Sequence, residues 1–344
     1  VLDERRGEEA SGETVIEAHG IAHRINFSVD HIRQEPKIGH ATTASPVVSG
    51  TRITIKLPLI PWYDSSECNL VEENKREFLA LAEKYAWLNP HLSLKVSWNG
   101  EGKIDANASN PTWDKWLPSW PTSAHWYDAS RFRRYMAAHI AHRPNTTVRE
   151  FVGEFRGLSS TAKQKVILEE IGASHVSLHD YFGRTKANRD NIVNLSIALK
   201  RHSKPVRPAQ LGVIGKQHLY GMMEAAGGDP KTFTYKCTGG ETGGVPRVIE
   251  VAFGVHRAGL VAGAGPCRKI ITGVNWSPGI NNPFRQLGRG GDGMDAVLAE
   301  LRAANPSQPV IVAVHLACPR VGYTDRGKSA IVVDGEITGA NDGE

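Results

Sequence analysis

Apolar residues recur at three different spacings along this chain of 344 residues, and the order of those spacings restricts the folds open to it. Over residues 14–30 and 51–57 they alternate: Ile25, Phe27 and Val29 are separated by Asn26 and Ser28, and Ile53, Ile55 and Leu57 by Thr54 and Lys56. A period of two is that of a strand with one wet face, and Ser49-Gly50 supplies the turn before the second run. Residues 72–85 change to helical spacing, with Phe78, Leu81, Ala82 and Tyr85 on one stripe and acids in the first turn, until Asn89-Pro90 stops the helix. Alternation then returns at Leu92, Leu94, Val96 and Trp98, ahead of an Asn99-Gly100 turn. One sheet covered by a helix is the simplest arrangement of these segments.

Residues 107–121 carry Trp113, Trp116 and Trp120 among prolines, which predicts an irregular connector pinned by aromatic packing. Short helices follow. Phe132, Tyr135, Met136 and Ile140 form one stripe. Thr147 and Glu150 make a capping box before Val148, Phe151, Val152 and Phe155, with Gly157 closing that helix. Ser159 and Ser160 open a helix on Ile167, Leu168 and Ile171, and another runs over residues 190–200 on Ile192, Leu195 and Leu199. After Lys204-Pro205 and Arg207-Pro208, longer strands at 247–254, 269–276 and 309–318 alternate with glycine-rich loops, and a helix capped by Asp292 lies between the last two. The expected fold class is α+β and multidomain, divided into residues 1–120, 121–205 and 206–344.

Charge follows the same division. Residues 128–207 hold 15 Lys or Arg against 7 Asp or Glu, a net of +8, where the whole chain carries only +5. Such a segment suits either a polyanion-binding face or a solvated helical surface. No uncharged apolar run approaches the roughly 18 residues of a membrane-spanning helix, so no membrane partner is expected and a cytoplasmic location is. Cys68, Cys237, Cys267 and Cys318 form no CxxC pair, which speaks against zinc or a disulfide framework and predicts buried thiols. The chain begins at Val1 in a charged stretch, and a longer parent protein is expected from this.

Chemistry-bearing motifs are few. Gly322 and Gly327-Lys328-Ser329 fit the spacing of a phosphate-binding loop if the segment opens a helix, since glycine admits the backbone, helix amides face the anion and lysine supplies charge. A solvated loop lysine is the alternative. His139 and His142 lie three apart without an acid or cysteine to complete a metal site, and His315 in the apolar run 309–318 suits a hydrogen-bonded core histidine better than a base. Neither a catalytic residue nor a metal site is assigned.

Several segments together resemble the B subunit of DNA topoisomerase VI, of the GHKL (Bergerat) ATPase family, or a bacterial relative. Ser49-Gly50-Thr51-Arg52-Ile53 resembles the last strand motif of the GHKL fold, and Trp87-Leu88-Asn89-Pro90-His91 the turn after it. Pro121-Thr122-Ser123-Ala124-His125 and the stretch 151–163 resemble the family's helix-two-turn-helix domain. Residues 208–215 resemble the entry to its transducer domain, and 244–251 that domain's first strand. Val314-His315-Leu316-Ala317-Cys318-Pro319 followed by residues 323–330 resembles the segment that bears the switch lysine.

The resemblance implies the end of a GHKL ATPase α/β sandwich with a connector, a helical helix-two-turn-helix-like domain, and an α/β transducer. It implies ATP and Mg2+ as cofactors of the whole protein. Lys328 and Gly327 would lie at the γ-phosphate and Thr51 near the adenine, or Thr51 is an ordinary strand residue. DNA, a DNA-cleaving A-like subunit and an ATP-dependent homodimer are the implied partners. Arg131, Arg133, Arg134, Arg184, Lys186, Arg201, Lys204 and Arg207 are chosen by charge as candidate DNA contacts. The family's ExxxNxxDA, DxGxG and lid motifs are missing from this sequence, so the chain by itself is expected neither to bind nor to hydrolyse ATP. Two alternatives stand beside this reading: a GHKL ATPase acting alone in a DNA-linked process such as defence against mobile elements, and a non-enzymatic DNA-binding or adaptor fragment.

Overall fold

The computed structural model describes residues 11–30, 35–56, 65–98, 100–257, 268–279, 282–284, 309–324 and 330–332. It is a mixed α+β chain that separates into two compact units, Val1–Asn74 and Lys75–Glu344.

The first unit holds an antiparallel sheet of four strands, β1 (Ser11–Ala18), β2 (Ile21–Asp30), β3 (Glu35–Ala44) and β4 (Thr51–Lys56), in the order β3-β2-β1-β4. The extended stretch 14–30 is two strands rather than one. His19 and Gly20 both adopt left-handed φ, 51° and 77°, which gives the two-residue turn whose twist matches a hairpin. Alternation sorts the faces. Ile16, Ile25, Ile53 and Ile55 share one, in register through Ile16↔Ile53, Thr14↔Ile55 and Thr14↔Ile25. The other carries the ion pairs Arg24–Glu13 at 2.8 Å and Arg52–Glu17 at 3.4 Å.

Helix α1 (Ser65–Leu88) is longer than its expected span and ends in the buried Ala86, Trp87 and Leu88. Strands β5 (Leu94–Trp98) and β6 (Glu101–Ala106) then form a hairpin of their own. The expectation of one sheet under one helix is therefore corrected: β5 pairs with β6 and not with the four-stranded sheet, and Gly100, at φ 82°, stands where the chain returns.

The helical region comprises α2 (Ala129–His142), α3 (Val148–Gly153), α4 (Thr161–Glu170), α5 (Leu178–Phe182) and α6 (Arg189–His202). Side-chain caps start each of them: Asp128, Thr147, Ser160, Ser177 and Asn188 accept from backbone amides, and Thr147 with Glu150 completes the expected capping box. Helix α3 stops four residues before Gly157, which turns the following segment at φ 79°. Phe132, Met136, Phe151, Phe155, Leu168 and Leu195 are sealed in its core, and full burial of each such side chain is worth roughly 1.5–3 kcal/mol.

Helix α7 (Lys216–Ala225) precedes a five-stranded sheet of β7 (Thr234–Thr242), β8 (Val245–Val255), β9 (Lys269–Val274), β10 (Ser277–Pro278) and β11 (Val310–Ala317), ordered β10-β9-β11-β8-β7. β11 runs antiparallel to β8 and parallel to β9. A parallel neighbour requires a crossover, and the helix expected from Asp292 falls in that crossover, outside the described residues. All eight residues of β11 are buried, the mark of a strand covered on both faces. Ile311, Ala313 and Ala317 pack with Trp87, Leu211 and Leu219 on one side, while Val312, Val314 and Leu316 pack with Phe284 and Ile331 on the other. Gly273 of β9 lies directly against Leu88, where a Cβ would overlap the leucine side chain. Of the cysteines expected to be buried, Cys237 is exposed and Cys318 half-buried, both as free thiols; the side chains of Cys68 and Cys267 lie outside the described residues.

Candidate functional site

Two polar residues stand in the two central strands of the five-stranded sheet. Glu250 and His315 face each other directly in the β8–β11 register, and both are almost wholly buried. Burial alone would be costly, and both are satisfied. The Glu250 carboxylate accepts from the Ile214 and Gly215 amides, each at 2.9 Å, from the Tyr235 hydroxyl at 2.8 Å, and from His315 Nδ1 at 3.1 Å. His315 Nε2 in turn accepts from the Trp276 amide at 3.2 Å, which fixes a neutral ring protonated on Nδ1. Burial pushes the Glu250 carboxyl upward, but the His315 contact and the two amides outweigh it and hold the group below the ordinary glutamate range. Burial lowers His315, partly offset by Glu250. The pair thus fastens the start of α7 to the middle of the sheet.

A second node sits at the strand ends. Asn89 donates to Tyr85 O at 3.0 Å and Trp276 O at 2.9 Å, and accepts from Lys115 Nζ at 2.8 Å. Lys115 also lies over the Trp113 and Trp276 rings, 5.9 and 5.6 Å from their centroids. The motif 87–91 and the connector tryptophans therefore staple the end of α1 to the turn after β9. In that turn Asn275 and Trp276 take left-handed φ of 50° and 63°, a conformation non-glycine residues hold only when their surroundings enforce it. The Asn275 side chain closes the turn on β11, donating to Cys318 O at 2.9 Å and accepting from Cys318 N at 2.8 Å.

The segment beyond β11 leaves from this fixed point. Tyr323 and Ile331 pair antiparallel. Thr324 N donates to Ala330 O at 3.0 Å, Val332 N to Gly322 O at 2.8 Å and Ile331 N to Pro283 O at 2.9 Å. Residues 325–329, Gly327 and Lys328 among them, lie outside the described residues, but both ends of the loop that carries them are held. Residues 330–332 are not helical and pair with 322–324.

Thr51 begins β4, opposite Ala18, with its side chain exposed. Among the described residues no group of three or more His, Cys, Asp or Glu could hold a metal ion, and His139 is instead engaged with Glu154 and Thr146, each at 3.3 Å.

The charges chosen as DNA contacts are all exposed, and they are spread over α2, the α5–α6 loop, the last turn of α6 and the segment after it. Three are paired: Arg131 with Asp128 at 3.4 Å, Arg184 with Asp180, and Arg201 with Glu170. Sequence reasoning passed over Glu250 and Asn275. The signal for Glu250 was an acid inside an apolar strand with a histidine inside another, two groups that each need a buried partner.

His315 and His218 share one consequence for pH. His218 Nε2 donates to Ala86 O and Trp87 O at 3.1 and 3.0 Å while Nδ1 accepts from Ser109 Oγ at 2.5 Å, and burial holds this ring below the ordinary histidine value of 6.5, as it does His315. A depressed folded-state value means stability that is complete above 6.5 and is lost as pH falls through the lower folded values. Each ring therefore contributes a loss of stability as pH falls below about 6.5. Urea midpoints should fall below that pH, before carboxylates titrate; a constant or rising midpoint contradicts the assignment of neutral rings.

No family model and no curated protein matches the sequence. Among solved structures the chain is similar to the B-subunit of the DNA gyrase from Myxococcus xanthus, at 10% sequence identity and a TM-score of 0.31, covering 95% of this chain and 63% of that one. The chain thus spans less than two thirds of the length of that subunit. No described helix is long and apolar enough to cross a membrane.

Proposed function

We propose that the chain is the coupling portion of a topoisomerase VI B-like ATPase: the last part of an ATPase domain, a DNA-contacting helical domain and a transducer, divided near residues 120 and 205. The observation that carries this reading is the base of the Lys328 loop. A strand bonded on both sides to its neighbours, β11, ends at Ala317 and is pinned at Cys318, and a short lead brings the chain to a loop whose two ends are paired. A lysine on such a mount gains a strong contact while a terminal phosphate is present and loses it on hydrolysis. Because β11 cannot shift without β8 and β9, that gain or loss biases the whole five-stranded sheet rather than the loop alone. Thr51 would serve at the adenine, ATP with Mg2+ would bind in the complete protein, and DNA, a DNA-cleaving A-like subunit and a second copy of the chain would be its partners.

The reading is tested by the association state of the protein expressed from its whole reading frame, with and without a non-hydrolysable ATP analogue. Dimers only with the analogue support it. DNA binding without any response to nucleotide favours the adaptor alternative, and nucleotide-driven dimers in a cell lacking any cleaving subunit favour the ATPase that acts alone.

A further inference from the structure

Two cavities meet where α2 faces the exit of β11. One, of about 650 Å³, is lined by Trp116, Trp120, Trp126, Tyr127 and Tyr135 together with Arg131 and Arg320. The other, of about 480 Å³, is lined by Arg131, Arg247 and Arg320 beside Leu316, Cys318 and Ile331. Both volumes fall within the roughly 300–1,000 Å³ of ligand pockets, and the two adjoin at Arg131 and Arg320, which line both, so they are taken together as one groove. Its aromatic half offers flat rings and its other half guanidinium groups.

Arg131 and Arg320 outnumber the acid that faces them among the described residues. Arg320 gives one of its five N–H donors to Trp126 O, and Arg131 pairs with Asp128 at 3.4 Å. That carboxylate already caps α2 by accepting from the Arg131 amide at 2.8 Å. Glu154, the acid lining the aromatic half, is held by Arg143 at 3.1 Å and His139 at 3.3 Å. Burial and then the nearby Arg131 charge lower the proton affinity of the Arg320 guanidinium, with Asp128 opposing them in part. Two like charges gathered on separate elements favour an anion between them. Trp120 is half-buried, and no other ring is stacked on it among the described residues.

We infer that this groove binds single-stranded nucleic acid, seating one base against Trp120 and the adjoining phosphate between Arg131 and Arg320. Rings that stack any base beside a cationic track are the means by which single strands are held without sequence preference. The inference rests on the proposed function only for the presence of DNA; the nucleotide switch plays no part in it. Neither Trp120, Arg247 nor Arg320 was singled out by net charge along the sequence, because Arg247 and Arg320 lie outside the basic segment and join it only through the fold.

The experiment is fluorescence anisotropy with a labelled oligothymidine, its duplex as comparison, and ATP and a phosphotyrosine peptide as competitors, for the wild-type chain, Trp120→Ala, Trp120→Phe and Arg320→Gln. Expected are single-strand affinity weakened about 10-fold or more by Trp120→Ala, largely kept by Trp120→Phe, and a salt slope reduced by about one by Arg320→Gln. Trp120→Phe guards against simple misfolding, since it keeps the ring. Wild-type binding in both Trp120→Ala and Arg320→Gln overturns the groove while leaving DNA binding by the helical domain in place. Stronger competition by the peptide or by ATP than by unlabelled oligothymidine also overturns it, in favour of those ligands. Absence of any salt-dependent DNA affinity removes the groove and the DNA part of the proposed function together.

Discussion

Glu250→Ala is expected to lower the free energy of unfolding by about 3–5 kcal/mol, because it strands several buried hydrogen-bond donors at once. Alanine leaves four donors without an acceptor: the Ile214 and Gly215 amides, the Tyr235 hydroxyl and His315 Nδ1. Each unsatisfied group in a buried position costs about 1–3 kcal/mol, and local relaxation with entry of water recovers part of the sum. Glu224→Ala is the comparison, because Glu224 meets Arg257 at 3.5 Å with both side chains half exposed, and such pairs contribute at most about 1 kcal/mol. Urea denaturation reads both. A Glu250→Ala loss below about 1 kcal/mol would mean that the α7 entry is held by its apolar contacts and not by this carboxylate.

Gly244→Ala carries the second large effect. Gly244 closes the β7–β8 hairpin at φ 79°, and a Cβ there would overlap the backbone carbonyl of His125, in the short helix Ala124–Trp126. The left-handed backbone costs an alanine about 1–2 kcal/mol, and forcing the two backbones apart about 1–3 kcal/mol more. Its neighbour Gly243 also has positive φ, 55°, but nothing lies within 4 Å of its Cβ position. Gly243→Ala therefore measures the conformational part alone. The difference between the two midpoints is the cost of separating the hairpin from the start of the helical region. Equal losses would show that the two backbones do not touch.

Much of the fold could be read from apolar spacing, and the misses share a cause. β8, β9 and β11 were visible because Ile249, Val251, Ile271 and Val314 fall in segments rich in apolar and β-branched residues. Their hairpin neighbour β7, Thr234–Thr242, was not, because its side chains are mostly exposed threonine, glycine and charge. Its strand conformation comes from pairing with β8 and not from its own residues. β3 was missed in the same way, its His40, Thr42 and Thr43 giving no apolar period. Helix caps were read best, since Thr147 and Ser160 act within three residues of themselves. The site was least accessible: Lys328 can be found by its motif, whereas the pairing that mounts its loop joins Tyr323 to Ile331 across residues that follow no period. Groups that meet across the fold, such as Glu250 with Ile214 or Arg131 with Arg320, are separated by more chain than any local pattern spans.

ATP hydrolysis by the protein from its whole reading frame, wild type against Lys328→Ala, tests the coupling role of the β11 loop most directly. The loop base is held by backbone hydrogen bonds of residues 322–324 and 330–332, so the substitution should leave the unfolding midpoint in place. A fall in hydrolysis of roughly 100-fold, as when one preorganised cationic or hydrogen-bonding contact to developing charge is removed, is the predicted result. An unchanged rate in a protein that hydrolyses ATP would place Lys328 away from the terminal phosphate and contradict the role proposed for the loop.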